Sequence, residues 1–275
     1  MTDKIWTLGL IGCGNMGGAL VRGVIKSGLL SPERVRVTDV DAAKAKAFAE
    51  ELGVMALGNN TDIATQSDVV IFAAKPQNMA ELLGELASVT AQPLYISIAA
   101  GISLMWMESR LGADARVVRV MPNTPAMIGC GAAGAARGKN VSDADMALTL
   151  DIFCAVGDAL EVPESKINAV TGLSGSGPAY VFRMIEVMAK AGEKVGLEPA
   201  AALKLTLRTV LGAARMAVET GVAPAELRRR VTSPKGTTEA GLKAMEDGGF
   251  EELMEQAVSA ATVRSEELGK LFAGN

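Results

Sequence analysis

The amino-acid sequence predicts an α/β fold, in which a doubly wound parallel sheet in the N-terminal part precedes an all-helical C-terminal domain. The 275 residues, of which 49% are apolar, provide material for about two domains. Short apolar runs alternate with helical stretches up to about Val162, which is typical of a parallel sheet with helices on both faces. After Pro163 the strand signal stops, so we place the domains at residues 1–163 and 164–275.

The first domain is predicted to alternate strands and helices along the chain. Each strand is a short run rich in Val, Ile and Leu, and each helix carries apolar residues at helical spacing. We expect the second helix to end at Gly53, because glycine readily adopts the left-handed conformation found at helix C-termini. The predicted strands span 6–11, 34–38, 68–73, 93–98 and 116–121, and the predicted helices include 16–27 and 42–52.

The second domain is predicted to consist of long helices rich in Ala, Leu and Met. Pro178, Pro199 and Pro224 stand at first helical positions, where a missing N–H costs no helical hydrogen bond. Gly196 and Gly221 stand where helices end. Small residues let helices approach closely, so we expect the apolar faces to extend into a subunit interface. The helices span 178–195, 199–219 and 224–231.

The composition excludes several classes of function. The chain has no histidine, which removes Ser-His-Asp triads, histidine metal sites and imidazole proton shuttles. A net charge of −4 and 4% aromatic residues argue against nucleic-acid binding. Three cysteines without a CxxC motif indicate reduced thiols in a cytoplasmic protein. The longest apolar stretch, 94–107, is too short to span a bilayer. From these observations together we expect no metal, nucleic-acid or membrane partner.

The most informative motif is the Gly-x-Gly-x-x-Gly run at Gly12, Gly14 and Gly17, which follows a strand and opens a helix. In this setting the first glycine permits a tight turn, the second lets a pyrophosphate approach the backbone, and the third allows close helix–strand packing. Together with Asn15 and Met16, the motif predicts a dinucleotide-binding (Rossmann) domain.

The end of the second strand is where such a fold selects its cofactor. Asp39 stands where an acidic residue would hold a ribose hydroxyl and repel a 2′-phosphate, so it favours NADH. Lys44 and Lys46 are the phosphate partners if the cofactor is NADPH instead. Alternatively, Asp39 or Asp41 simply caps the following helix. We predict a lower KM for NADH than for NADPH.

Several further segments follow predicted parallel strands, where ligands bind in such sheets. They include Ala74, Lys75 and Pro76, the 97–101 turn around Ala99, and the 121–125 segment, whose two prolines flank Asn123. Each alone is compatible with an ordinary loop, and together they outline a crevice.

Two segments of the helical half, 171–178 and 232–238, are rich in glycine and small hydroxyl residues. We expect both to be loops that lead into helices and present free backbone N–H groups to a carboxylate. Thr238 either donates its hydroxyl to a substrate or caps its own helix, and composition alone favours capping.

Six segments taken together resemble the pyrroline-5-carboxylate reductase family, and they occur in that family's order across nearly the whole chain. The resemblance implies NAD(P)H-dependent reduction in the last step of proline biosynthesis, a Rossmann domain followed by a helical dimerisation domain, and dimers that often form decamers. The segments are Gly-Cys-Gly-Asn-Met-Gly at 12–17, Lys-Pro-Gln at 75–77, Ser-Ile-Ala-Ala-Gly at 97–101, Met-Pro-Asn-Thr-Pro at 121–125, Thr-Gly-Leu-Ser-Gly-Ser-Gly-Pro-Ala-Tyr at 171–180 and Ser-Pro-Lys-Gly-Thr-Thr at 233–238.

The resemblance also implies roles for single residues. Ser233, Gly236, Thr237 and Thr238 would bind the substrate, and the Thr238 hydroxyl would hydrogen-bond the ring nitrogen. Lys235 stands where many members have glycine, and Asp39 where many have a neutral residue suited to NADPH, so both NADH and NADPH stay open. The expected cofactor contacts are Gly12, Gly14, Asn15, Met16, Gly17, Asp39, Asn60, Ala74, Lys75, Pro76, Ala99 and Asn123.

The missing histidine is compatible with this chemistry. A cyclic imine needs only a hydride at carbon and a proton on nitrogen, and it can enter already protonated, so positioning and electrostatics suffice. Two alternatives are kept. A β-hydroxyacid dehydrogenase would use a lysine in the helix after its glycine-rich loop, yet 179–188 contains Arg183 and no lysine. The other is a nucleotide-sensing or assembly protein without chemistry.

Overall fold

An eight-stranded sheet organises the first part of the chain, in a computed structural model that describes residues 6–273. The strand order is β3-β2-β1-β4-β5-β6-β7-β8, and every neighbouring pair is parallel except β6 and β7. The strands are β1 (Leu8–Ile11), β2 (Val35–Thr38), β3 (Met55–Ala56), β4 (Val69–Phe72), β5 (Leu94–Ser97), β6 (Arg116–Met121), β7 (Gly131–Arg137) and β8 (Gly157–Glu161).

Helices cover both faces of this sheet, so the predicted doubly wound architecture is confirmed. One core contains Leu10, Leu20 and Phe153, and the core on the other face contains Phe72 and Leu83. All four residues of β1 and of β4 are buried, as expected for central parallel strands. The helices are α1 (Asn15–Lys26), α2 (Ala42–Leu52), α3 (Asn60–Thr65), α4 (Met79–Leu86), α5 (Leu104–Leu111) and α6 (Asp143–Cys154).

Every predicted strand is present, with ends within two residues of the prediction, but β3, β7 and β8 were not predicted. β7 has the sequence Gly-Ala-Ala-Gly-Ala-Ala-Arg, which lacks the β-branched and aromatic residues that signal a strand. Its small residues have a structural reason, since a Cβ at Gly134 would lie 2.8 Å from the Val170 side chain. Gly53 ends α2 in the left-handed conformation, as predicted.

The rest of the chain is helical. Pro199 and Pro224 are the first residues of their helices, and Gly221 ends α9 with a φ of 64°. No helix within residues 6–273 has the length and apolar character needed to cross a membrane. The helices are α7 (Ile167–Val170), α8 (Gly177–Lys194), α9 (Pro199–Thr220), α10 (Pro224–Arg230), α11 (Thr237–Asp247) and α12 (Phe250–Ala273).

The prediction of a loop over 171–178 was wrong. Thr171–Gly175 forms a π-helical turn that connects α7 with the start of α8. The Thr171 and Ser174 hydroxyls donate to the carbonyls of Ile167 and Val170, four residues earlier in each case. Gly175 packs so closely that a Cβ there would lie 2.8 Å from Met121 Cε. The two hydroxyl groups therefore bond to carbonyls of the preceding turn, and Gly175 allows close packing, so this composition does not indicate a loop here.

The chain forms two compact units that do not divide at the predicted boundary after residue 163. The first contains the chain up to Ser176 and again from Ser259, and the second is Gly177–Val258. Residues after 163 join the first unit because Ile167 is buried in its core and Asn168 accepts a hydrogen bond from Ser265 at 2.9 Å. The outer ends of the predicted domains, residues 1–5 and 274–275, lie outside the described residues.

Candidate active site

The turn between β1 and α1 is shaped by its three glycines. Gly12 has a φ of 104°, and a Cβ there would lie 2.7 Å from the Ala73 carbonyl oxygen. A Cβ at Gly17 would lie 2.5 Å from the Gly12 carbonyl oxygen, so α1 sits directly on the turn. At Gly14, by contrast, no described atom lies within 4 Å of an added Cβ. The turn is therefore closed on two sides and open at its middle glycine.

Helix α1 begins at this turn with its N-terminus uncapped. Its N-cap is Gly14, which receives no side-chain cap among the described residues, and no acidic residue stands in its first turn. First-turn N–H groups lack helical acceptors and carry the positive end of the helix dipole. The arrangement fits a bound phosphate group.

Asp39 reaches from the end of β2 to the same turn. It accepts hydrogen bonds from the Cys13 N–H at 2.7 Å, the Asp41 N–H at 3.0 Å and Lys44 Nζ at 3.0 Å. Burial opposes its ionisation, but hydrogen bonds from the Asp41 N–H, Lys44 and the Cys13 N–H hold the pKa of Asp39 below its usual value. Asp39 is thus a fixed anion at the glycine turn. Helix α2 is capped instead by Asp41, which accepts from Ala43 and Lys44 N–H.

A cavity of about 440 Å³ extends from the glycine turn. Six predicted cofactor contacts line it, namely Gly12, Gly14, Asp39, Asn60, Ala74 and Lys75. The cavity includes Gly14, where an added Cβ would meet no described atom within 4 Å. The cavity and the uncapped end of α1 together fit a dinucleotide. The lining residues not among those predicted contacts are Ile11, Val40, Lys44, Ala73, Asn78, Glu81, Leu82 and Glu85.

Helix α4 and the turn before it supply much of this additional lining. Asn78, Glu81 and Glu85 are spaced three and four residues apart, which places them on one helix face. Glu85 accepts a hydrogen bond from Asn60 Nδ2 at 2.7 Å, so it orients a predicted cofactor contact. The helical spacing was visible in the sequence, but nothing there indicated that this face would meet the glycine turn.

Six other predicted cofactor contacts do not line the cavity. Gly17 is buried in packing and Asn15 is exposed. Asn123 is 9% exposed, and two hydrogen bonds orient its carboxamide: Nδ2 donates to the Ser174 carbonyl at 3.0 Å, and Oδ1 accepts from the Ala132 N–H at 2.9 Å. The remaining three are Met16, Pro76 and Ala99.

The 233–238 segment lies in the second compact unit, at the start of α11. Gly236 is the N-cap and receives no side-chain cap from the described residues. Thr237 and Thr238 are the first two residues of the helix, so Thr238 does not cap it. No hydrogen bond of the Thr238 hydroxyl is found within residues 6–273, and this side chain is half-buried. The segment presents an open helix end beside a free hydroxyl.

Lys235, directly before this helix, adopts an unusual backbone conformation. Its φ is 59°, the only positive φ of a non-glycine residue in the described chain. Its N–H donates to Glu239 Oε2 at 2.7 Å, which engages the acidic side chain of the first helical turn. A left-handed position explains why glycine suits this site.

No group of three potential metal-binding side chains occurs in the described part of the chain. The backbone N–H groups and lysines at the two places suit a phosphate-bearing cofactor and a small anionic substrate.

Comparisons with known proteins match both halves of the chain. A family model described as pyrroline-5-carboxylate reductase dimerisation matches residues 164–268, and one described as NADP oxidoreductase coenzyme F420-dependent matches residues 7–101. The pyrroline-5-carboxylate reductase of Methanosarcina acetivorans is 46% identical over 264 residues, covering 96% of this chain and 98% of that protein.

Solved structures extend the similarity to three dimensions. A pyrroline-5-carboxylate reductase from Coxiella burnetii is 39% identical with a TM-score of 0.93, and the alignment covers 96% of this chain and 99% of that one. The Plasmodium falciparum pyrroline carboxylate reductase with NADP bound is 29% identical with a TM-score of 0.82, and the alignment covers 96% and 98%.

Proposed function

The chain belongs to the pyrroline-5-carboxylate reductase family and reduces pyrroline-5-carboxylate to proline with NAD(P)H, and we propose which of its residues carry out this reaction. The observation that carries the proposal is the glycine turn with its uncapped helix and adjoining cavity, in a chain related to these reductases over nearly its full length. The reaction is the final step of proline biosynthesis.

The proposed cofactor site is the glycine turn and the cavity of the first unit. Backbone N–H groups of Asn15, Met16 and Gly17 face the pyrophosphate, for which Gly14 leaves room. Asp39 and Asn60 contact the adenosine ribose, and the turn at 74–76 borders the cavity at the end of β4. Ala99 and Asn123 complete the set, with the Asn123 carboxamide held in place by the Ser174 carbonyl and the Ala132 N–H. When bound, the reduced nicotinamide supplies the hydride.

The proposed substrate site is the 233–238 segment of the second unit. The open N-terminus of α11 binds the substrate carboxylate through the N–H groups of Thr237 and Thr238, assisted by the Ser233 hydroxyl. Gly236 borders the carboxylate as the N-cap, while its own N–H donates to the Ser233 carbonyl at 3.0 Å. The Thr238 hydroxyl holds the ring nitrogen. Because the imine can enter protonated, the protein does not need a titrating acid and instead fixes orientation and charge.

The remaining expectations concern assembly and compartment. A helical domain from residue 164 forms a dimer, and dimers assemble further into a decamer. The family model of the dimerisation region begins at 164, and α8 and α9 leave large apolar side chains exposed, such as Phe182 and Leu205. Reduced cysteines, two of which are exposed, support a cytoplasmic location.

Kinetics of a Thr238→Ala variant test the proposal. We expect the oxidation of NADH by pyrroline-5-carboxylate to slow by roughly 100-fold in kcat, as for the loss of one donor to a reacting centre, with little change in the Kd of NADH. Thr238→Ser, which keeps the hydroxyl, should retain most activity. Unchanged kinetics of Thr238→Ala would reject this role, and activity of the wild-type protein on a hydroxyacid instead would favour a β-hydroxyacid dehydrogenase.

A further inference from the structure

Two lysines follow Asp39 on α2, and only the first faces the cofactor cavity. Lys44 lines the cavity, with Nζ 3.0 Å from Asp39 Oδ2. Lys46 does not line it; its side chain is 77% exposed, and its Nζ lies 3.9 Å from Glu50 Oε1. The structure therefore distinguishes two residues that the sequence left equivalent.

The cavity is unfavourable to an additional phosphate unless a cation is available. Asp39, Glu81 and Glu85 contribute three carboxylates to its lining, whereas Lys44 and Lys75 contribute two ammonium groups. The Asp39 side chain is 8% exposed and is fixed by two backbone N–H groups, so it does not move away. Its charge must be compensated where it stands.

Lys44 is placed to supply that compensation. Its side chain is 46% exposed whereas that of Asp39 is 8% exposed, so the ammonium borders both the carboxylate and the open cavity. Breaking its contact with Asp39 leaves the carboxylate with its two N–H donors, so the glycine turn keeps its anchor.

We propose that Lys44 is the residue that determines whether this site accepts a 2′-phosphate. With NADH, Lys44 stays paired with Asp39, whose Oδ1 has a free lone pair for a ribose hydroxyl. With NADPH, the Lys44 ammonium turns from Asp39 to the 2′-phosphate and screens it from the carboxylates. The site thereby uses both cofactors without an arginine. This inference rests on the proposed cofactor site.

Calorimetric titration with nucleotide fragments tests it without any turnover. Adenosine 2′,5′-bisphosphate and adenosine 5′-monophosphate differ only in the 2′-phosphate. In Lys44→Met we expect the Kd of the bisphosphate to rise about tenfold, equivalent to about 1.4 kcal/mol, while the Kd of the monophosphate stays within about twofold, since its contacts are unaffected. In Lys44→Arg, which keeps the charge, the bisphosphate should bind as in the wild type.

Two further variants make the result decisive. Lys46→Met is the matched control and should bind both fragments as the wild type does. A loss of bisphosphate binding confined to Lys75→Met, or an equal loss of both fragments in Lys44→Met, would overturn the inference. If the proposed function is wrong, the wild-type protein will not reduce pyrroline-5-carboxylate, regardless of how tightly the two nucleotide fragments bind.

Discussion

Replacing Gly14 with alanine should weaken cofactor binding without affecting folding. Gly14 has a φ of −74° and a ψ of −178°, a conformation open to any residue, and no described atom lies within 4 Å of an added Cβ. Nothing has to move to accept the methyl group, so the free energy of unfolding should change by less than about 0.5 kcal/mol.

The effect on binding is expected to be large because Gly14 both lines the cavity and is the N-cap of α1, so an added methyl group takes up space beside that helix end. It would hold a pyrophosphate away from the N–H donors of that turn. Each hydrogen bond to a charged group contributes roughly 1.5–3 kcal/mol, so the loss of one raises the Kd of NADH about 10- to 150-fold.

Gly17→Ala is the matched contrast in the same turn. Its Cβ would lie 2.5 Å from the Gly12 carbonyl oxygen and 2.9 Å from Ala73 Cβ. The nearest of these atoms belongs to the backbone, so no rotamer change relieves the clash and α1 must shift. We expect a loss of about 1–3 kcal/mol in the free energy of unfolding.

Urea unfolding and calorimetric titration with NADH, applied to both variants, distinguish the two effects. If Gly14→Ala binds NADH as tightly as the wild type, the cavity is not the pyrophosphate site. If Gly17→Ala is as stable as the wild type, the close packing of α1 on the turn is not as described. The first result would refute the link between this turn and the cofactor, and the second would refute the steric role of Gly17.

Three further predictions concern other positions. The wild-type protein should show a lower KM for NADH than for NADPH, and Asp39→Ser should reverse this order; a clear NADPH preference in the wild type would defeat the role of Asp39. Lys235→Gly should raise the free energy of unfolding by roughly 0.5–1 kcal/mol, because the left-handed conformation costs a non-glycine residue about 1–2 kcal/mol; a lower melting temperature would show that the lysine side chain contributes more than its backbone costs. Burial and the Asp39 charge raise the pKa of the Cys13 thiol from 9.0 to about 11, so the folded state disfavours the thiolate and loses stability as the pH rises through this interval. Urea unfolding across that range should show the decline in the wild type and less of it in Cys13→Ala, and equal slopes would contradict the assignment.

The sequence allowed much of the sheet to be predicted because its central strands carry strong local signals. β1, β4 and β5 are short apolar runs buried on both faces, and their composition alone identifies them. β7 escaped prediction because its glycines and alanines are selected by what packs against them, such as Val170 at Gly134. The same cause explains the π-helical turn at Thr171–Gly175, whose residues resemble those of a loop.

The cofactor side of the site could be predicted only in part. The glycine turn and Asp39 form a local pattern with a fixed spacing, so the sequence reveals them. No local sequence motif marks the α4 face. Glu81 and Glu85 line the cavity because the chain returns to this edge of the sheet after β4. Asn123 shows the reverse: it follows β6 as expected but does not line the cavity, and two hydrogen bonds hold its carboxamide against Ser174 and Ala132.

The two proposed binding sites share a feature that makes a chain without histidine suitable for this reduction. The N-caps of α1 and α11 are Gly14 and Gly236, both with extended backbone and without a side-chain cap from the described residues. Glycine at the N-cap leaves the first-turn N–H groups to an external anion, whereas a capping side chain would take one of them. Such dipoles are fixed before the ligand arrives and do not titrate, so they stabilise charge without a proton donor. By contrast, α2, α3, α5 and α6 have N-cap side chains that accept hydrogen bonds from their own first-turn N–H groups. These N-caps are Asp41, Asn59, Ser103 and Ser142.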